Sequence, residues 1–340
     1  MRYQMFITLH SPLDMHLHLR DEAMLQTVAP LSAETFSGAV VMPNLVPPIE
    51  TKEALLAYKE RILKASNEQT FTPYMTLFFK PTYTKEFLES IKDEVTAIKL
   101  YPAGITTNSE GGLSGFDVEE LRPTLTAMSE LNIPLCIHGE TNGFVMDREA
   151  EFASVYAMLA TNFPKLKIIM EHITTKESVA LLDKFDNLYA TITLHHLLIT
   201  LDDVAGGMLQ PHLFCKPIAK RPEDRVALLK VALEGHPKVM FGSDSAPHPQ
   251  HAKEACGCAA GVFTAPIALQ VLSELFMKHS TVQKLQAFVS DNAQKIYSNI
   301  KISPKLVTLE EKEFTVPHHY GEVIPMYAGE TLQYSIIDIK

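Results

Sequence analysis

The chain has no run of about 20 uninterrupted apolar residues, the length a bilayer-spanning helix needs. Its longest apolar stretch, 261–272, is broken by Thr264, Pro266 and Gln270. The first residues, MRYQMFITLHSPLDMHLHL, show no basic segment leading into an apolar one and no small-residue cleavage pattern, so no secretory signal is read. Cysteine is scarce: Cys136, Cys215, Cys256 and Cys258 fit neither a disulfide framework nor a paired zinc ribbon. They read as ordinary thiols in a reducing cytoplasm. No Lys/Arg cluster stands out among 30 basic and 40 acidic residues, and the formal net charge is −10. That argues against nucleic acid as a partner, as the missing apolar run argues against a membrane. The glycine-rich dinucleotide and phosphate-binding loops are missing too. Gly242-Ser243-Asp244-Ser245-Ala246 puts an aspartate where a nucleophile elbow would put serine, so a serine hydrolase is not supported.

What is present is an ordinary globular composition, 46% hydrophobic and 21% charged, with fourteen histidines as the one unusual count. At 340 residues the chain suits one large α/β barrel or two ordinary domains. Eight β-rich apolar runs recur, at 5–18, 38–43, 72–79, 96–101, 133–138, 167–172, 189–194 and 238–243. Several (AVVM, MTLFF, LCI, IIM, VMF) are apolar throughout, as expected when both faces of a parallel sheet are covered. Helix-period segments lie between them, with Leu55, Tyr58 and Ile62, then Phe87, Leu88 and Ile91, then Phe152, Val155, Tyr156 and Leu159 each on one face.

Boundary signals agree with that alternation. Thr84 and Asp117 precede helices, the latter with Glu120 three residues on, and Pro222 and Gly235 bracket another. Pro123 implies that the helix after Asp117 is kinked or starts later. The pattern predicts a single α/β domain over 1–340, a (β/α)8 TIM barrel with a short C-terminal β-rich extension of short strands and turns over about 303–340. A doubly wound sheet is the alternative.

In a barrel, groups at the C-terminal ends of different strands converge on one mouth. His16 and His18 end the first strand, Lys99 lies near the end of the fourth, and His138 and His172 end the fifth and sixth. Asp244 follows the eighth. His16 and His18, two apart on a strand, project to one side, as two imidazoles need to bind one metal ion. Taken singly, His138 and His172 could be core histidines and Asp244 a helix cap. Lys99 would face a packed interior, where an ammonium is expensive unless paired. Either it pairs with a carboxylate or it is not an ammonium. Carboxylation by CO2 would turn it into an anion able to bridge two metal ions. His195 and His196 lie near the mouth but read as structural.

Asp14-Met15-His16-Leu17-His18-Leu19-Arg20, Met42-Pro43-Asn44, Ile98-Lys99-Leu100-Tyr101-Pro102, His138-Gly139-Glu140, Glu171-His172-Ile173-Thr174 and Asp244-Ser245-Ala246-Pro247-His248 resemble, in order, the amidohydrolase superfamily. More narrowly they are similar to its short bacterial dihydroorotase family. The resemblance covers about residues 10–300. It implies two Zn2+ ions bridged by carboxylated Lys99 and a hydroxide, one held by His16, His18 and Asp244 and the other by His138 and His172. It implies a small-molecule substrate, N-carbamoyl-L-aspartate interconverted with L-dihydroorotate in pyrimidine synthesis, with Asp244 as general base and acid. Arg20, Asn44 and His248 correspond to residues that grip a carboxylate. Thr106 and Thr107 match a mobile lid, and Lys216 and Ala259 match backbone contacts to ligand. A homodimer is the assembly considered. The alternatives are a hydantoinase- or dihydropyrimidinase-like enzyme, which the carboxylate-matched Arg20 disfavours, and a non-catalytic scaffold, which the six filled ligand positions disfavour.

Overall fold

The computed structural model describes residues 6–67 and 69–340. Eight parallel strands run in sequence order around a nearly closed barrel: β2 (Leu13–Leu17), β3 (Gly38–Val41), β4 (Thr72–Phe78), β5 (Ala97–Leu100), β6 (Leu135–Ile137), β7 (Ile168–Met170), β8 (Leu188–Ile192) and β9 (Val239–Phe241). Helices intervene between successive strands, so the expected (β/α)8 barrel is observed. The seam between β9 and β2 closes just past the end of β9. There Asp244 N–H donates to the His16 carbonyl at 2.8 Å and His18 N–H to the Ser245 carbonyl at 3.3 Å.

Side-chain alternation sorts the strands into two cores. Leu13, Met15, Val40, Met42, Ala97, Cys136, Ile169 and Met240 fill the barrel interior, closed off by Ala293, Ile296 and Tyr297. The alternate positions Val41, Ile98, Leu100, Ile137, Met170 and Phe241 pack outward in a core shared with helical residues such as Leu55, Tyr58 and Phe152. The same parity that puts Ala97 and Cys136 inside carries Lys99 and His138 inside, one step nearer the mouth.

The first strand departs from its expected form. The run 5–18 is two strands, because Ser11 adopts a left-handed backbone (φ 45°) and Pro12 has no N–H to continue a ladder. Met5 lies outside the described residues. Strand β1 (Phe6–His10) leaves the barrel and pairs antiparallel with β10 (Leu306–Thr315), which pairs with β11 (Thr331–Ile339). The extension is therefore built on two long strands of ten and nine residues. Each alternates buried and exposed positions only in part, which hid it in the sequence.

A second irregularity lies in β2, whose pairing with β3 slips between Asp14 and Leu17. Leu13 and Met15 face the interior while Leu17 and Leu19 face the outer core, so parity changes between Met15 and His16. This bulge turns His16 and His18 inward.

The helix signals are matched closely. Thr84 Oγ1 accepts from Phe87 N–H, Asp117 caps Val118–Glu130, and Gly235 ends Pro222–Glu234 in the left-handed conformation. The helix after Asp117 starts at once and runs through Pro123. Among the described residues no helix is long and apolar enough to cross a membrane.

Candidate active site

His16, His18, His138, His172 and Asp244 line one cavity at the C-terminal mouth. Asp244 Oδ1 stands 3.1 Å from His18 Nε2 and 3.5 Å from His16 Nε2, so three donor atoms from opposite sides of the seam converge. On the other wall His138 Nδ1 and His172 Nε2 face each other at 3.2 Å. The His172 ring packs edge-on against both His16 and His138, with centroids 4.9 and 4.8 Å away, which joins the two groups. His172 and Asp244 reach these positions only by taking left-handed backbone conformations, φ 40° and 44°, as does Arg20 at 55°. Such conformations cost a non-glycine residue about 1–3 kcal/mol each and concentrate at functional sites.

Buried carboxylates set the orientation of two rings. Glu171 accepts from His16 Nδ1–H at 2.7 Å and Glu140 from His138 Nε2–H at 2.8 Å, which leaves His16 Nε2 and His138 Nδ1 with their lone pairs facing the cavity. Burial holds the imidazoles of His16, His18 and His172 below their ordinary range and so keeps them neutral. Burial also raises the Asp244 carboxyl, against the pull of His16, Lys99 and His138. Asp14 completes the seam: its buried carboxylate accepts from Ser243 N–H at 2.8 Å, Ser243 Oγ–H at 2.5 Å and His16 N–H at 3.2 Å. Glu140, Glu171 and Asp14 each lie within two residues of a site histidine at a strand end, the one mark of these roles that the sequence carries.

Lys99 is fully buried, and its Nζ has no hydrogen-bond partner among the described residues; nor has His172 Nδ1. Nζ lies 5.2 Å from the centre of the Tyr101 ring. Burial pushes the Lys99 amine below its ordinary range. An unpartnered amine, neutral imidazoles with lone pairs turned inward and a carboxylate make a donor set that fits borderline metal ions such as zinc.

Arg20, Asn44, Thr106, Thr107 and Lys216 line the same cavity. Arg20 Nε donates to the Pro247 carbonyl at 3.1 Å. His248 does not line the cavity; its Nε2 lies 3.0 Å from both Arg20 Nη2 and the Ala260 carbonyl, and a single nitrogen can serve only one of them in a given tautomer. The loop after β5 is drawn over the mouth. Asn44 donates to the Thr107 carbonyl at 2.9 Å, Asn108 returns a bond to the Asn44 carbonyl at 3.0 Å, and Lys216 Nζ donates to the Ile105 carbonyl at 3.0 Å. Ala260, rather than Ala259, lines the cavity. The Ala259 N–H and carbonyl are bonded within the protein, to Ala252 and Lys253.

His195, His196 and Cys215 form a separate buried group. Both ring nitrogens of His196 are engaged, by Thr193 Oγ1 at 2.9 Å and the Pro217 carbonyl at 3.0 Å, and Cys215 Sγ–H points at the same carbonyl. This group braces the Cys215-Lys216-Pro217 turn.

The barrel and its mouth are those of an amidohydrolase-type enzyme, and residues 7–297 match the model of the amidohydrolase family. The chain is 45% identical over 340 residues to a dihydroorotase of Helicobacter pylori, covering 98% of this chain and 100% of that one. It superposes on a Campylobacter jejuni dihydroorotase crystal structure with a TM-score of 0.95 at 59% identity, covering 99% of both chains. It likewise matches a Saccharomyces cerevisiae dihydroorotase in complex with 5-fluoroorotic acid, with a TM-score of 0.91 at 34% identity and 98% coverage of each. The chain belongs to the amidohydrolase family, among the dihydroorotases, and is a cyclic amide hydrolase.

Proposed function

We propose that this site interconverts N-carbamoyl-L-aspartate and L-dihydroorotate in pyrimidine synthesis, as a zinc enzyme. The observation that carries the reading is the buried, unpartnered Lys99 Nζ among His16, His138, His172 and Asp244, at a mouth that also presents Arg20. His16, His18 and Asp244 would hold one zinc ion and His138 and His172 the other, with Lys99 between them. A neutral lysine amine adds to CO2 to give a carbamate and a proton, so burial of Lys99 favours the modification as well as requiring it. When bound, the two ions supply Lewis acidity that polarises the amide carbonyl and brings the pKa of water toward neutrality.

The remaining work falls to the chain. In hydrolysis, water adds to the ring amide carbonyl, Asp244 receives its proton, and the same carboxyl returns that proton to the departing ring nitrogen. In synthesis Asp244 takes the proton from the carbamoyl nitrogen as it closes on the carboxylic acid carbon, and hands it to the hydroxyl group whose C–O bond breaks and which departs as water. Burial raises the Asp244 carboxyl toward the range where both acts are efficient. Arg20 offers a planar fork for the ring carboxylate, with Asn44 as a neutral donor and His248 acting through Arg20. The orotate-type ligand of the yeast relative is a pyrimidine carboxylate, which supports the same assignment. Thr106, Thr107 and the backbone of Lys216 and of the 259–260 segment close around it.

The experiment is turnover of N-carbamoyl-L-aspartate and L-dihydroorotate by protein supplied with zinc and bicarbonate, alongside dihydrouracil, which lacks the carboxylate. Turnover confined to the carboxylate-bearing pair is expected. Comparable turnover of dihydrouracil would shift the assignment to a hydantoinase-like enzyme, and no turnover of either would leave the scaffold reading.

A further inference from the structure

Lys253 ends the one-turn helix Gln250–Lys253 that follows the Asp244–His248 segment. Its side chain is buried, and no carboxylate pairs with it among the described residues. Three backbone carbonyls surround the ammonium instead: Phe214 at 2.9 Å, Ala259 at 2.7 Å and Gly261 at 2.7 Å. Three N–H donors meet three acceptors, each bond strengthened by the charge. The acceptors belong to two loops far apart in sequence. Phe214 begins the turn that carries Lys216 to the cavity, and Ala259 and Gly261 flank Ala260, which lines it.

The same two loops are joined directly where Gly261 N–H donates to the Phe214 carbonyl at 2.9 Å. A Cβ on Gly261 would come within 2.3 Å of the Ala246 carbonyl oxygen, so the segment is pressed against the end of the barrel. The Ala260 carbonyl lies 3.0 Å from His248 Nε2, the same nitrogen that stands 3.0 Å from Arg20 Nη2, so this wall borders the Arg20 side of the cavity.

We propose that Lys253 is a positioning residue for the carboxylate end of the ligand, clamping the 214–217 and 259–261 loops into one wall and placing a cation behind that wall. The proposal rests on the dihydroorotase reading for its ligand. Burial pushes the Lys253 amine down to about 8, so it is still a cation at neutral pH. Removing it leaves the Ala259 and Gly261 carbonyls without a donor and the two loops joined here only by Gly261 N–H to Phe214, which loosens the wall without touching Asp244 or the histidines that line the cavity.

The test is steady-state kinetics on Lys253→Met, which keeps the length but no donor, and Lys253→Gln, which keeps two donors and no charge, with zinc content and melting temperature measured in parallel. The expected result is a KM for L-dihydroorotate raised about tenfold or more in Lys253→Met and less in Lys253→Gln. The kcat should stay within about threefold of the parent and zinc content should be unchanged. An unchanged KM in either folded variant, or a fall in kcat with KM intact, overturns the proposal. Should Lys253→Met not fold, Lys253→Gln gives the same split. Direct binding of orotate separates this proposal from the functional one. If the parent protein turns nothing over, the dihydroorotase reading fails. Weaker orotate binding by the variants then still supports the clamp, and equal binding removes it.

Discussion

Glu171 reaches across the barrel to accept the Nδ1 proton of His16 at 2.7 Å, although 155 positions separate the two residues. Thr191 Oγ1–H donates to the same carboxylate oxygen at 2.6 Å, so the carboxylate is itself held in place. Burial pushes Glu171 up, but His16, Lys99 and the bonds from His16 and Thr191 outweigh it and bring it to about 2. The anion fixes which nitrogen of His16 faces the cavity.

Glu171→Gln should keep the shape while weakening that anchor. Zinc affinity is expected to fall about 10- to 100-fold, as for other carboxylates behind metal-binding histidines. Competition with a chelator of known affinity measures it, and equal affinity would remove Glu171 from the site's function.

Lys99→Ala should lose metal occupancy and turnover together, because the two halves of the donor set then lack a shared bridge. Short carboxylic acids are expected to restore part of both by standing in for the carbamate. Metal analysis before and after their addition is the measurement. Unchanged turnover would end the bridging role.

Asp244→Ala removes the proton carrier and one of three donors on its side. Turnover is expected to drop by about 10²- to 10⁴-fold while much of the metal is retained, held by the histidines and Lys99. Rates near those of the parent would reassign the base.

Acid should destabilise the metal-free protein. His16, His18, His172 and His195 are pushed down by burial, as are His196, to about 4, and His248, to about 3. Below about pH 6.5 the unfolded chain therefore binds protons that the fold refuses, and stability is lost as pH falls toward those lower values. Asp14, raised to about 7, and Asp244 and Glu149, also raised by burial, act in the opposite sense, because the fold holds a proton that the unfolded chain has given up. The imidazoles outnumber these carboxyls. The melting temperature of chelated protein should thus decline between pH 7 and pH 5, and one that holds steady or rises would show that the carboxyls dominate.

Much of this was legible in the letters. Apolar runs such as AVVM and LCI mark strands covered on both faces, and Lys99 after Ala97-Ile98 could be placed inside by parity alone. Parity failed at Met15 and His16, because a bulge depends on the neighbouring strand and leaves no local mark. The break at Ser11-Pro12 was hidden because both flanking segments alternate as one strand would, and the partner of the first half lies 300 positions away. Lys253 was invisible for a different reason: its partners are backbone carbonyls, which any residue supplies.

The seam described above has a temporal meaning. Barrel closure runs through Asp244 N–H to His16 and through Ser243 to Asp14, pairs separated by 228 and 229 positions. Among the described residues, the hydrogen bonds across the seam lie at the reactive mouth. During synthesis the histidines of the first barrel strand emerge early, and their counterpart is made only after two thirds of the chain has left the ribosome. Without residues 243–245 the chain can complete neither the barrel seam nor the donor set, because the same segment supplies both.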